Sequence, residues 1–431
     1  MLKTLINAFR EKEIRRKMFL TLLMLLIFRI GSYIPIPGIK SENFQAVVSK
    51  DFFGIMSTIT GGSLKNGTLF ALGIIPFINA FIIMQLLTLI VPPLDRLSKQ
   101  GEDGRKKITQ ITRYVAILLA VVQGLGICLG YGRKSFDNTF TDNPNLTMAL
   151  VIMIMVGGSC FVMWLGDRIT EYGIGNGTSL IIFVGILASA GDALLSSFKS
   201  VGDGDSMKKI WLILAFLVVV VLVFIFIIFI DLSERKITIQ YAKQVKGNKM
   251  YGGQSTHIPM KVNASGVMPI IFASSFLLFP GMIGSFWPDS GFYMWWSKWL
   301  GAGQPIYIVV MCLLIVFFAF FYSQIQFNPE DISKNIQQNG GFIPGIRPGR
   351  PTAEFLRRIN NRITLFGAIF LALVALVPSV VFKLINEAGA GLELADAFSA
   401  TGLLIVVSVA MEFDTQLQNQ LMMKHYKGFL K

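Results

Sequence analysis

Histidine is nearly absent from these 431 residues, and the two present, His257 and His425, lie far apart in polar segments. No His-Glu-x-x-His spacing occurs, so no metal site and no cofactor are expected. The three cysteines, Cys128, Cys160 and Cys312, all fall inside apolar runs. There they read as small core residues rather than as a disulfide or ligand framework. Charge is scarce as well, at 15% of the chain against 53% hydrophobic residues. That balance excludes the two or three soluble domains that length alone would suggest. Period-two alternation, the mark of a membrane barrel, is missing; the apolar runs are continuous and select helices. The start, MLKTLINAFREKEIRRKMF, runs on into FRIGSYIPIPGIK without a small-x-small cleavage site. It reads as a retained first helix behind an amphipathic cytosolic segment. A Walker A motif is lacking, and so is any Ser/His or paired-Asp constellation within the apolar runs. No catalytic residue is therefore nominated, and the chain is read as a non-enzyme.

What is present is a series of uncharged apolar runs, each long enough to cross roughly 30 Å of hydrocarbon. Ten spans are predicted, at about 18–34, 68–91, 110–130, 147–166, 174–190, 210–230, 264–283, 304–326, 363–382 and 397–416. The fold class is all-α, a polytopic membrane protein. The tenth span is the weakest, with 15 uncharged residues from Ala397 to Met411 before Glu412. If the N-terminus, alternate loops and the C-terminus are taken as one side, that side carries 28 of the 39 Lys and Arg. By the positive-inside rule both termini are cytosolic. The same bias accounts for most of the +14 net charge. Trp287, Trp295, Trp296 and Trp299 gather after the seventh span and read as an interfacial belt.

An internal repeat divides the chain. GIIPFINAF (Gly73–Phe81) and GVMPIIFAS (Gly266–Ser274) match in register 193 residues apart. GTSLIIFV (Gly177–Val184) and ATGLLIVV (Ala400–Val407) match 223 residues apart. Span two thus pairs with seven, and five with ten. Two related halves follow, 1–190 and 191–431, and an odd number of spans per half gives them opposite topology. Inverted repeats place a site at their interface, pointed to by short or Gly/Pro-interrupted helices. Ile74 and Ile78 share a helical face by spacing, as do Thr178 and Ile182. Ile271 and Ile405 are the repeat mates of Ile78 and Ile182. These six could form an apolar ring or be ordinary helix packing.

The segment 51–67, DFFGIMSTITGGSLKNG, is apolar, too short to cross, and ended by Gly61-Gly62. It could fold back into an outer cavity or lie in the interface. Asn79, Gln85 and Asn263 are polar residues in or beside spans two and seven, where such groups bridge neighbouring helices. Arg29 is the charge lying well inside a span, near the outer end of the first, and reads as a loop cap rather than a proton carrier. An ion-coupled transporter with inverted repeats would place ionisable groups deeper in its spans. On the cytosolic side, loop 231–263 alternates as a strand through Ile237, Ile239 and Tyr241. It turns at Lys246-Gly247-Asn248, a hairpin tip with Lys243, Lys246 and Lys249 around it. Loop 327–362 carries six basic residues and the stretch GGFIPGIRPGRPT, which has no helical or strand periodicity and contains Arg347 and Arg350. Two basic protrusions on one face suit RNA, an acidic protein surface or anionic lipid.

FRIGSYIPIPGI, FALGIIPFINAFIIMQLLT, GEDGRKKITQITRY, ITEYGIGNGTSLIIF, ERKITIQYAK, QSTHIPMKVNASGVMPIIFASS, FNPEDISKNIQQNGGFIPGIRPG and LLIVVSVAMEFDTQLQNQLMM occur in that order. In these blocks the chain resembles the SecY family, channel subunits of the bacterial protein-translocation machinery, nearly end to end. The resemblance implies ten helices in two inverted halves around an hourglass pore. It implies a constriction at Ile74, Ile78, Thr178, Ile182, Ile271 and Ile405, with Thr178 departing from the family's apolar residue. It implies a plug that includes Phe52, Phe53, Ile55, Met56, Ile59, Gly61 and Gly62. A lateral gate lies between spans two and three and spans seven and eight, with Asn79, Gln85 and Asn263 near it. Lys243, Lys246, Lys249, Arg347 and Arg350 become docking residues for cytosolic partners, and Arg350 lies outside the family's IRPG core. The implied partners are SecE- and SecG-type small subunits, a SecA motor ATPase, the ribosome with its RNA, signal sequences and nascent chains, and membrane lipids.

Overall fold

Every predicted span coincides with a helix in the computed structural model, which describes residues 2–39, 52–131, 143–199, 206–241, 244–246, 249–251, 255–263, 266–284, 287, 290–301, 304–385 and 400–429. The first half runs α1 (Leu2–Arg10), α2 (Lys12–Gly31), α3 (Phe52–Ile59), α4 (Ile75–Ile90), α5 (Pro92–Ser98), α6 (Glu102–Tyr131), α7 (Pro144–Tyr172) and α8 (Gly177–Lys199). The second contains α9 (Ser206–Asp231), α10 (Met268–Gly284), α11 (Gly291–Leu300), α12 (Pro305–Gln326), α13 (Pro329–Gln338), α14 (Arg350–Ile385) and α15 (Ala400–Phe429). Among the described residues six helices are long and apolar enough to cross a membrane, and α4 with α5 makes a bent seventh candidate. The chain is a multi-pass membrane protein.

Several boundaries differ from the expectation, and spans two and nine show it most instructively. Span two was expected from 68, yet α4 starts at Ile75, because Gly73 takes a left-handed backbone at φ 54°. At its other end α4 breaks by 104° into α5. There Val91 precedes Pro92-Pro93 and adopts an extended backbone (φ −97°, ψ 109°), as a residue before proline does. Span nine is also longer than expected: α14 begins at Arg350, and its 36 residues span about 54 Å, beyond the hydrocarbon.

The expected hairpin in 231–263 is present. β1 (Glu234–Tyr241) pairs antiparallel with β4 (Ser255–Lys261), and β2 (Gln244–Lys246) pairs with β3 (Lys249–Tyr251). Lys246 faces Lys249 at the last register position. The stretch GGFIPGIRPGRPT is not the structureless loop its composition predicts. Its Gly341–Phe342 forms β5 on the free edge of β1, with Gln240 opposite Phe342, and the sheet order is β4-β1-β5. Alternation along β1 turns Ile237 and Ile239 inward onto Ile336, Leu356 and Ile359 of α13 and α14. That apolar base holds the basic protrusion to the end of the long α14. The main core is a single apolar cluster to which both halves contribute, from Phe28 and Ile74 through Ile182 to Phe272, Phe370 and Ile405.

Candidate functional site

The repeat mates are built alike at the level of the backbone. α4 and α10 begin at Ile75 and Met268, residues that the repeat aligns. Each has a positive-φ glycine two residues earlier, Gly73 at 54° and Gly266 at 59°. A proline follows in each first turn, Pro76 and Pro269, where its missing N–H and fixed φ suit a helix start. Ile78 donates its N–H to the Ile74 carbonyl at 3.1 Å, and Ile271 donates to the Val267 carbonyl at 3.1 Å. Ile74 is therefore the cap residue of α4 rather than part of the helix, but it still sits one turn from Ile78. Val267, the repeat mate of Ile74, is buried in the same cluster and was legible in the repeat without being singled out.

Five of the six ring candidates meet in one apolar cluster. Ile74, Ile182 and Ile405 are each at most 5% exposed, and the half-buried Ile78 and Ile271 pack against them. Thr178 occupies the first turn of α8, where its N–H bonds to Asn176 Oδ1 at 3.1 Å. Gly177 of α8 lets the elements close in: a Cβ there would lie only 2.0 Å from the Gly166 carbonyl oxygen of α7. Apolar side chains offer an ion no replacement for its hydration, so a constriction lined by these isoleucines would dewet against ions.

Segment 52–62 folds back onto the first half. α3 ends in a Schellman cap: Gly61 lies at φ 72°, Gly62 N–H bonds to the Ser57 carbonyl at 2.8 Å, and Gly61 N–H to the Thr58 carbonyl at 3.2 Å. Gly61 rests directly on Gly185 of α8, where a Cβ on either residue would come within 3 Å of the other strand of backbone. Ser189 Oγ donates to the Thr58 carbonyl at 3.2 Å. Met56 is buried with Ile36, Leu72 and Met155, and Ile59 packs against both this group and the ring cluster. The backbone of Phe52, Phe53 and Ile55 lies in α3.

Asn79, Gln85 and Asn263 each hold a buried side-chain oxygen without a hydrogen-bond partner among the described residues. The Asn263 Nδ2 is paired: it donates to Asp231 Oδ1 at 2.7 Å, and Ser408 Oγ donates to Asp231 Oδ2 at 2.9 Å. The chain path explains that pairing. Val262 N–H bonds to the Ser233 carbonyl at 3.0 Å, so the end of β4 brings Asn263 to the end of α9. Asp231, the first charge after span six, was the signal available in the sequence.

The turn that carries Arg347 is fixed at many points. Ile343 is buried in the sheet base, Ser333 Oγ donates to the Gly349 carbonyl at 2.7 Å, and Thr352 Oγ1 donates to the Arg347 carbonyl at 2.8 Å. Arg347 and Arg350 are exposed, the latter as the first residue of α14. Lys246 and Lys249 end β2 and begin β3; Lys243 lies outside the described residues.

Comparison with known proteins identifies the family and the fold. The SecY family model matches residues 68–413. The protein translocase subunit SecY of Streptomyces galbus is 41% identical over 446 residues, covering all of both chains. A solved protein-conducting channel aligns with a TM-score of 0.67 at 20% identity, over 94% of this chain and 91% of the other. Sec61 from a canine ribosome–channel complex of the endoplasmic reticulum aligns at 0.63 and 19%, over 94% and 91%.

Proposed function

The chain belongs to the SecY family, and on that premise we propose that it is a protein-conducting channel. It passes secretory polypeptides across the bacterial plasma membrane and releases transmembrane segments sideways into lipid. The observation that carries this reading is the cluster in which Ile74, Ile78, Ile182, Ile271 and Ile405 meet, contributed by helices of both repeat halves. Aliphatic side chains dewet a constriction against ions, yet they part around an extended chain of any sequence. An emerging apolar helix leaves by partition, each Leu, Ile or Phe contributing about −0.3 to −0.6 kcal/mol at the helix centre. The protein need only open a way; it catalyses nothing. Ten spans form halves 1–190 and 191–431 with both termini in the cytosol, as the charge asymmetry requires. Segment 51–67 plugs the outer side, and Asn79 and Gln85 stand near a lateral gate.

The work comes from outside, since the chain has no Walker A motif. A SecA-type ATPase or the ribosome supplies it, docking on the rigid turn that carries Arg347 and on the lysine tip of the hairpin. Small SecE- and SecG-type subunits complete the channel. The test is reconstitution in vesicles with a secretory precursor and the motor ATPase. Protected precursor is the expected outcome, and solute uptake without precursor transport would overturn the reading. In the same assay Arg347→Glu should lower transport by roughly tenfold through lost docking, while the channel itself still inserts.

A further inference from the structure

A charge inside an apolar span is costly and is retained where it has defined partners. Arg29 of α2 has three. Its Nη1 donates to the Gly61 carbonyl at 3.1 Å, and its Nη2 donates to the Tyr33 hydroxyl at 2.6 Å and approaches Asp192 Oδ2 of α8 at 3.5 Å. The guanidinium also lies over the Tyr33 ring, 4.5 Å from its centroid. Asp192 is 63% exposed and the Arg29 side chain 24%, so the ion pair is screened and serves mainly to aim the guanidinium. The Gly61 bond differs. The Schellman cap uses the Gly61 N–H and the carbonyls of Ser57 and Thr58, which leaves the Gly61 carbonyl turned outward. A fork-shaped, permanently charged donor is suited to take it while its second nitrogen is held elsewhere.

We propose that Arg29 is the latch that positions the plug: it ties the Gly61 carbonyl at the end of α3 to the wall formed by α2 and α8. This rests on the reading of segment 51–67 as a plug. Beside the apolar packing of Met56 and Ile59, the remaining polar and backbone ties are weaker in kind. Gly61 and Gly185 meet backbone to backbone with no side chain between them, and Ser189 supplies a neutral hydrogen bond. α3 also touches α10 of the other half. When the halves part that contact is lost, and the ties to α2 and α8 decide how readily the plug leaves.

The experiment compares resting ion leak of the complete channel in planar bilayers for wild type, Arg29→Gln, Arg29→Lys and a plug deletion. A Thr58→Cys/Ser189→Cys pair, in a background without the three native cysteines, allows the plug to be crosslinked to α8. Loss of a charge-assisted hydrogen bond predicts about tenfold more leak in Arg29→Gln, with Arg29→Lys between it and wild type. Crosslinking should restore the seal in Arg29→Gln, a rescue that a folding defect would not permit. If Arg29→Gln leaks no more than wild type while the plug deletion leaks, the latch is wrong and the plug stands. If its leak persists after crosslinking, Arg29 acts through the general fold and the latch is again wrong. If deletion leaves the leak unchanged and crosslinking leaves precursor transport unchanged, the plug reading itself fails.

Discussion

Helices α4 and α10 start alike and are approached differently. Both follow a positive-φ glycine, both carry proline in the first turn, and in both an isoleucine bonds back one turn at 3.1 Å. Ahead of α4 lies the apolar α3, tied down by Arg29, Ser189 and a glycine–glycine contact. Ahead of α10 lies the end of the β4-β1-β5 sheet, where Asn263 and Ser408 converge on Asp231. The two helix starts share a backbone geometry, and the segments that precede them differ. One is packed against an apolar helix under the Arg29 guanidinium, the other is braced by the Asp231 carboxylate beside the β-sheet.

The sharpest way to break this comparison is to remove both repeat mates from the ring. Ile78→Gly with Ile271→Gly should raise resting conductance by more than about tenfold, since two half-buried aliphatic side chains that keep water and ions out of the constriction are lost. Unchanged conductance in planar bilayers would count against the ring. A smaller effect of another kind is expected at the opposite approach. Asp231→Ala leaves Asn263 and Ser408 without their acceptor and should lower stability by about 1.5–3 kcal/mol, the scale of a hydrogen bond to a charged group. Thermal unfolding in detergent reads that loss, and the resting leak should not move; a leak as large as that of the ring variant would erase the distinction between the two approaches. The smallest effect belongs to Thr178→Ile, which adds the missing aliphatic while keeping the backbone bond to Asn176. Leak of the resting channel should fall about twofold, and a rise would mean that the threonine packs better than it seals.

Much of the core was legible because its signals are local. The Gly-x-x-Pro starts of α4 and α10, the lysine tip of the hairpin and the double glycine after Ile59 each fix a backbone geometry within a few residues. Arg29 was legible as an anomaly and Thr178 as a departure, but neither came with its neighbours. Partners such as Gly61 for Arg29, or Asp231 for Asn263, lie 32 residues away and meet only after the chain has folded back. The same holds for β5: two residues have no periodicity to read, and Gly341–Phe342 pairs because β1 offers a free edge beside the α13–α14 base.

By itself the sequence determined that this protein lives in a membrane, and it carried a charge bias between alternate loops and an internal repeat. Those properties are sums and periods over many residues, to which hydrocarbon and charge respond whatever the detailed packing. Tertiary structure alone decided which isoleucines meet, what Arg29 holds and where Asn263 points. Those are contacts of a few ångströms between distant segments, and their strength depends on geometry that composition does not carry.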